Sequence, residues 1–253
     1  PKYGEIGVDA VDFNDADQVM AAKLDGGHVI YELNAGRRPR VYSYRKPKNR
    51  KTGVIEHSHK LEKLYSTIVP KSLKRTILRG EVYAKAPNGK PLAPERIAGM
   101  LNAGVWKSRR LQAEHGHLVP AIFDVVMYNG KDMMGAPYRE KLKVMKELKK
   151  TFGFELADVA FTPAEKKALL KRIKSGKHPQ TDEGVILWGG KKPVKAKFKS
   201  DHDVYIRQVI QAKDKNGKPK AEMGALAYSH TPNGAIVGKV GTGFSRALRQ
   251  DVW

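Results

Sequence analysis

The sequence has 253 residues, of which 40% are hydrophobic, enough for one large domain or one domain with a small companion. It contains no apolar run near the ~18 residues that a membrane-spanning helix needs, and its first residues do not read as a signal peptide, so we expect no membrane partner. Cysteine is absent, which excludes disulfides and thiolate metal sites and fits a reducing, intracellular setting.

The charge of the chain points to a polyanionic partner. Lys and Arg outnumber Asp and Glu by 48 to 26, for a formal charge of +22. Residues 36–51 hold eight basic residues and no acid, and residues 163–200 hold 11 basic and three acidic residues. A solvated face usually mixes signs, so one-sign blocks favour phosphate contacts with nucleic acid. Two alternatives to specific nucleic-acid binding remain. The positive charge could serve only as bulk charge in an RNA-rich assembly, or the protein could simply have a basic, soluble surface.

The first half of the chain mixes predicted strands and helices. Two strands over 28–33 and 40–44 are predicted to form a hairpin with its turn around 34–36. Helical spacing over 59–69, stopped by Pro70, predicts a helix. Further strands are predicted over 76–84 and 118–128, and helices over 94–103, 106–114 and 138–149.

The second half begins with a well-marked helix and then changes character. Thr162 and Glu165 form a capping box, with Pro163 at the first helical position and Gly176 after the last turn. Strands follow over 183–188 and 194–199. From about residue 203 the pattern predicts only short strands and turns. We therefore place a domain boundary near 199–203, with domains over 1–200 and 201–253, and expect the second domain to be incomplete.

Five short motifs carry the chemistry and occur in a fixed order. They are Lys23-Leu24-Asp25-Gly26, Arg79-Gly80-Glu81, Ile122-Phe123-Asp124, Glu183-Gly184 and Lys195-Ala196-Lys197. Each alone has a plain structural explanation: a surface hairpin, a strand end, a core aromatic. In the last motif, the two lysines alternate along a strand and so face the same side.

In this order the motifs resemble those of the covalent nucleotidyltransferases, which comprise ATP-dependent DNA ligases, RNA ligases and mRNA capping enzymes. The resemblance covers about residues 19–210, and the glycine-rich segment 238–244 is similar to the oligonucleotide-binding (OB) fold domain of ATP-dependent DNA ligases. The resemblance implies an α+β fold. An antiparallel-sheet nucleotidyltransferase domain of the ATP-grasp-like ligase type would be followed by a partial all-β OB-fold domain.

The resemblance also implies a role for each residue. Lys23 is the nucleophile that carries AMP. The nucleotide-binding residues are Asp25, Gly26, His28, Arg45, Glu81, Phe123, Glu183, Lys195 and Lys197. Glu81 and Glu183 are the metal-linked carboxylates, for Mg²⁺ or Mn²⁺. The DNA-facing residues come from the basic block and are Arg37, Arg38, Arg40, Arg45, Lys46 and Lys48.

The implied reaction fits these residue types. A lysine is inert while protonated, at an unperturbed pKa of ~10.4, and nearby cations and partial burial favour its neutral form. Its amine then attacks the α-phosphorus of ATP, AMP moves to the 5′-phosphate of a nick, and the 3′-hydroxyl displaces AMP. Such transfers need positioning and charge neutralisation more than a dedicated base. We therefore expect a monomeric, intracellular DNA ligase that uses ATP and seals nicked duplex DNA.

Two departures keep other functions open. His28 stands where DNA ligases usually have Arg, and neutral imidazole cannot reproduce the bidentate grip of a guanidinium group. A basic C-terminal motif that orients pyrophosphate is not found before Trp253. The alternatives are an RNA ligase, a capping-type nucleotidyltransferase, or a nucleic-acid-binding protein of this fold that has lost catalysis.

Overall fold

The computed structural model describes residues 3–44, 53–190, 192–198 and 203–253. The chain divides into two units, Pro1–Lys199 and Ser200–Trp253. Both contain helix and antiparallel sheet, so the predicted α+β class is confirmed. Among the described residues, no helix combines the length and the apolar character needed to cross a bilayer.

Two sheets form the frame of the first unit. Its strands are β1 (Gly4–Gly7), β2 (Val19–Ala22), β3 (Gly27–Leu33), β4 (Arg40–Ser43), β5 (Thr76–Ala84), β6 (Leu118–Tyr128), β7 (Lys131–Asp132), β8 (Glu155–Leu156), β9 (Val159–Ala160), β10 (Gly184–Trp188) and β11 (Val194–Lys197). One sheet has the order β1-β11-β10-β2-β9, and the other has the order β4-β3-β5-β6-β7 with β8 on β6. Pairing is antiparallel except between β1 and β11 and between β6 and β8.

The helices of the first unit cover these sheets. They are α1 (Glu62–Ser66), α2 (Pro94–Asn102), α3 (Val105–His115), α4 (Tyr138–Phe152) and α5 (Pro163–Lys174). The capping box predicted for α5 is present, because the Thr162 hydroxyl accepts from the backbone N–H of Glu165 and the Glu165 carboxylate accepts from that of Thr162.

The sheet that contains β2 and β10 is buried on both faces. Along β2, Val19 and Ala21 join the large core cluster, whereas Met20 and Ala22 join a smaller cluster with Leu169 of α5. This division follows from the alternation of side chains along a strand. All four residues of β2 and all five of β10 are buried, so the segments that flank Lys23 and Glu183 are held rigidly on both sides.

The helix predicted over 59–69 is wrong in its length. A single 3₁₀ turn covers Ser58–Lys60, α1 ends at Ser66, and Thr67 is extended. The reason is tertiary: the backbone of Val69 pairs with the turn between β3 and β4, its carbonyl accepting from Gly36 and its N–H donating to Arg37, both at 2.9 Å. Those bonds need an extended chain.

The second unit consists of a three-stranded antiparallel sheet and one helix. Its elements are β12 (Tyr205–Lys213), β13 (Pro219–Ser229), β14 (Gly238–Val240) and α6 (Arg246–Asp251), with β13 central. The prediction that the chain after about residue 203 forms only strands and turns is therefore wrong at Arg246–Asp251, which form a helix. The Ser245 hydroxyl accepts from the backbone N–H of Leu248 and caps α6, a local signal that the sequence analysis missed.

Candidate functional site

A cavity of about 690 Å³ lies in the first unit, between the two sheets. Nine predicted site residues line it: Lys23, Asp25, Gly26, His28, Glu81, Phe123, Glu183, Lys195 and Lys197. The remaining predicted nucleotide-binding residue, Arg45, lies outside the described residues, as do Lys46 and Lys48. Segments up to 174 residues apart in sequence, from Lys23 to Lys197, thus converge on one space.

Glu183 lies between two of the lysines in this cavity. Lys23 follows directly after β2, and its backbone N–H donates to the carbonyl of Gly184 at 3.0 Å. Its side-chain Nζ donates to Oε2 of Glu183, while Nζ of Lys197 lies 3.4 Å from Oε1 of the same carboxylate. The exposed fractions of these three side chains are 15% for Lys23, 30% for Glu183 and 31% for Lys197, so all three face the cavity from partly buried positions.

Two glycines allow the backbones to approach at this site. A Cβ atom on Gly26 would lie 2.5 Å from the carbonyl oxygen of Val82, and one on Gly184 would lie 2.2 Å from that of Ala196. Gly184 also has a φ of +146°, which other residues rarely adopt. The glycines after Asp25 and Glu183 therefore set how closely those carboxylates approach the neighbouring strands.

The carboxylates at the site disfavour one another's ionisation. Burial raises the pKa of Glu81 to about 8; Lys23 lowers it and Asp25 raises it. Burial also raises the pKa of Asp25, with Glu183 as the next cause. Within the described part of the chain, Oε2 of Glu81 is buried without a hydrogen-bond partner. This is an acidic cluster that a cation or a hydrogen-bond donor would stabilise.

This arrangement fits a magnesium ion that is completed by a substrate. Among the described residues, no three His, Cys, Asp or Glu side chains group into a full metal site. Mg²⁺ is usually held by one or two carboxylates together with water and substrate phosphates, however, and does not need a full protein cage. The unpartnered oxygen of Glu81 and the exposed edge of Glu183 are suitable ligands of that kind.

Aromatic side chains form the other wall of the cavity. The His28 ring stacks on Tyr44, with centroids 4.1 Å apart and planes within 2°, and Phe123 meets His28 edge-on at 5.5 Å. Trp188 lies 6.4 Å from Phe123 and stacks on Tyr138 at 4.6 Å. A flat heterocyclic base would find stacking partners on this side and charged groups on the other.

Nine of the lining residues were not predicted as site residues, and four of them have aromatic or charged side chains: Tyr3, Tyr44, Arg79 and Trp188. Trp188 stands two positions after Ile186 on one strand, so alternation could have placed both on the same face. No local signal identifies Tyr3, whose ring lies 5.5 Å from Nζ of Lys195. Burial raises the pKa of Tyr3 to about 12, so its hydroxyl stays protonated.

A buried ion-pair cluster lies beneath the aromatic wall. Asp124, which is fully buried, pairs with Arg79 of β5 and with Nζ of Lys141 of α4, the latter at 2.9 Å. Because Asp124 follows Phe123 on β6, these contacts fix the strand that carries the aromatic ring.

The described members of the predicted DNA-facing set, Arg37, Arg38 and Arg40, are not among the residues that line the cavity. Arg37 and Arg38 are exposed in the turn between β3 and β4. The Arg38 guanidinium lies 4.9 Å from the Tyr65 ring centroid and donates to the Tyr65 carbonyl. Arg40, on β4, pairs with Glu56 at 3.3 Å. Arg37 and Arg38 are therefore presented to solvent, whereas Arg40 is partly neutralised.

Comparison with known proteins identifies the family. The sequence matches the family described as ATP dependent DNA ligase domain over residues 8–202, which is most of the chain. Among curated proteins, no sequence matches it significantly.

Solved structures share the fold at low sequence identity. A Lig E DNA ligase, described as binding DNA with a minimal scaffold, is 18% identical, with a TM-score of 0.57 over 99% of this chain and 86% of that one. A mycobacterial DNA ligase D complexed with ATP and MES is 18% identical, with a TM-score of 0.52 over 97% and 74%. The ligase domain of M. tuberculosis LigD is 16% identical, with a TM-score of 0.53 over 99% and 76%.

Proposed function

The chain belongs to the family of ATP-dependent DNA ligases, and from that premise we propose that Lys23 carries AMP during the sealing of nicks in duplex DNA. The protein is thus an enzyme that binds ATP and DNA and joins DNA strands through phosphodiester bonds. The observation that supports the covalent step is the contact of the Lys23 ammonium with Glu183, inside a cavity whose other walls carry Lys195, Lys197 and an aromatic face.

In the first step, Nζ of Lys23 attacks the α-phosphorus of ATP and pyrophosphate leaves in line. The hydrogen bond from Nζ to Oε2 of Glu183 gives the ammonium proton an acceptor before attack. Lys195 and Lys197 neutralise the charge that develops on the α-phosphate oxygens. Phe123 and His28 supply the aromatic surface on which the adenine stacks.

In the second step AMP passes from the lysine to the DNA, and in the third it leaves the DNA. The phosphoramidate nitrogen regains a proton, and the 5′-phosphate of the nick displaces the amine from phosphorus to form a DNA adenylate. The 3′-hydroxyl then attacks that 5′-phosphate and releases AMP. Glu81 and Glu183 would hold Mg²⁺ or Mn²⁺, which would supply further neutralisation of phosphate charge.

We further propose that the first unit is the adenylation domain and that the second belongs to an OB-fold domain. The pairing of β12 with β13 shows three register shifts, and such irregularities bend strands in small barrels. The enzyme is proposed to work as a monomer inside the cell.

The test is self-labelling with ATP that carries a radioactive α-phosphate. The wild type should form an acid-labile protein–AMP adduct, and Lys23→Ala should form none, because the proposed nucleophile is gone and Lys195 and Lys197 bind phosphate oxygens instead of attacking phosphorus. Lys177→Ala is the matched control, because that lysine is exposed outside the cavity. Labelling that survives in Lys23→Ala would contradict the assignment.

The choice of nucleotide and of nucleic-acid substrate is tested by further labelling and sealing reactions. Labelling from GTP in place of ATP would indicate a capping-type enzyme, and sealing of nicked RNA but not nicked DNA would indicate an RNA ligase. The expected result is labelling from ATP and sealing of a nicked DNA duplex. Absence of any labelling in the wild type would indicate a binding protein that has lost catalysis.

A further inference from the structure

A solvent-exposed tryptophan stands at the start of α3. Trp106 is 84% exposed, the highest value among the exposed large hydrophobic side chains of the described residues. Arg109 and Arg110 follow it by three and four positions, so all three share one face of the helix. Lys107 and Arg110 are also exposed, and residues 105–110 contain no acid. An open indole with cations at neighbouring helix positions is therefore presented to solvent.

The helix that carries Trp106 is firmly anchored. The side-chain amide of Gln112 donates to the carbonyl of Lys60 at 3.0 Å, and the Arg109 guanidinium donates to that of His59 at 3.4 Å. Nζ of Lys60 in turn donates to the carbonyl of Leu101, at the end of α2. The exposed ring thus stands on a rigid support, which lowers the entropy cost of stacking a ligand on it.

The segment that leads into α3 packs beside the catalytic cavity through Leu101. The side chain of Leu101 fills the space beside Gly27, where an added Cβ would come within 2.3 Å of Cδ1 of Leu101. Gly27 adjoins Gly26, which lines the cavity. Trp106 is five positions after Leu101 in the sequence, so their Cα atoms are at most about 18 Å apart.

We propose that Trp106, with Lys107 and Arg110, binds a single-stranded segment of DNA, with an unpaired base stacked on the indole ring. The inference rests on the DNA ligase function and adds a class of substrate to it: DNA ends or gaps with unpaired bases. Single-strand sites combine cations that follow the phosphates with aromatic rings that stack bases. In a duplex the bases are already stacked on one another, so a free indole face gains less there. A protein partner would have to place acidic groups opposite Lys107 and Arg110 to complement their charge.

Fluorescence anisotropy with a labelled oligothymidylate of about 12 nucleotides tests the surface. Trp106→Ala should weaken single-strand binding at least about fivefold, the low end for one base stacked on an aromatic ring. Trp106→Phe keeps a smaller ring and should recover part of that loss. Lys107→Ala combined with Arg110→Ala should reduce the slope of log affinity against log salt by about 1.4, at about 0.7 per phosphate contact. Lys149→Ala combined with Lys150→Ala, two exposed cations of α4, is the matched control.

Two controls are measured on the same variants. One is the affinity for a blunt DNA duplex of the same length, and the other is self-labelling with ATP. Affinity for the duplex and self-labelling should be unchanged in Trp106→Ala. Unchanged single-strand affinity, or an equal loss on single strand and duplex, would overturn the proposed surface while self-labelling stays intact. Failure of the wild type to self-label would instead contradict the covalent ligase mechanism, whatever the outcome for single-strand binding.

Discussion

Glu183 is the residue on which the arrangement of charges at the site depends most. Its two oxygens face Lys23 and Lys197, so one carboxylate holds both the proposed nucleophile and one of the proposed phosphate-binding groups in place. The side chain stands directly before Gly184, whose φ of +146° is suited to glycine. The motif of an acid followed by glycine thus has a geometric reason in this fold: the backbone at Gly184 must approach Ala196 closely.

His28 shows how a departure from the usual residue is accommodated. A neutral imidazole cannot bind phosphate as a guanidinium group does. It is a flat ring, however, and here it stacks on Tyr44 and meets Phe123 edge-on. The position that is usually cationic has become part of the aromatic wall, so binding at this position should depend on stacking and not on charge.

A buried histidine makes the stability of the protein depend on pH. His57 is 4% exposed, and burial, followed by the charge of Lys60, lowers its pKa to about 4. In the unfolded chain a histidine titrates near 6.5. Between about pH 6.5 and pH 4 the unfolded state therefore binds a proton that the folded state does not bind. The contribution of His57 to the free energy of unfolding is fully present above about pH 6.5 and is lost as the pH falls towards 4.

We expect His57→Gln to flatten this part of the stability profile. Urea denaturation at pH 4.5 and 7.5 should show a smaller difference in the free energy of unfolding than in the wild type, by about 1–3 kcal/mol. The upper limit is about 1.4 kcal/mol per pKa unit, and solvent screening reduces it. His117→Gln, at an exposed position, serves as the control. An identical pH profile in wild type and His57→Gln would contradict this explanation.

At the scale of elements, β5, β6 and α4 are joined by one buried carboxylate. Asp124 on β6 reaches Arg79 on β5 and Lys141 on α4, and these two cations are themselves 8% and 6% exposed. Removing the acid would leave both cations buried without it, which is costlier than losing an exposed pair. The cluster therefore determines how α4 docks on the sheet that carries Phe123 and Glu81.

Asp124→Ala should lower the free energy of unfolding by about 3–5 kcal/mol, the usual range for breaking a buried pair. The matched control is Arg75→Ala, which breaks the pair with Glu32 at an arginine that is 58% exposed and should cost about 1 kcal/mol or less. Urea denaturation at neutral pH measures both. If both variants lost the same small amount of unfolding free energy, the buried cluster would not stabilise the packing of α4 on the sheet.

At the scale of the whole molecule, the charge of +22 should determine how DNA binding responds to salt. The basic block over residues 36–51 is the densest region of one sign, and its described arginines Arg37 and Arg38 are exposed. Each phosphate contact releases counterions and contributes about 0.9 to the slope of log affinity against log salt for duplex DNA.

The combined change Arg37→Ala, Lys46→Ala and Lys48→Ala should therefore reduce that slope by up to about 2.7 on a nicked duplex. Filter binding or anisotropy from 50 to 300 mM salt, as a rough range, would measure it. Three exposed lysines of α4, Lys143, Lys146 and Lys150, give a control of equal charge change. If both triple variants lowered the slope equally, the block would have no special place in DNA binding.

Local patterns in the sequence determined the elements near the site. The alternation over 28–33 and 118–128 and the capping box at Thr162 each depend on residues a few positions apart, and the structure confirms the corresponding strands and the capped helix. The order of the five motifs likewise predicted the DNA ligase family, which the match over residues 8–202 confirms.

Tertiary structure decided the rest, because it depends on contacts between distant segments. The helix expected over 59–69 stops at Ser66 since Val69 pairs with a turn some thirty residues earlier, at Gly36 and Arg37. Tyr3, Tyr44, Arg79 and Trp188 line the cavity only because two sheets meet there. The raised pKa of Glu81 follows from burial beside Asp25 and Glu183, which are distant in sequence from Glu81. Composition and spacing thus specify which groups are available, whereas burial and proximity are created only when the sheets pack.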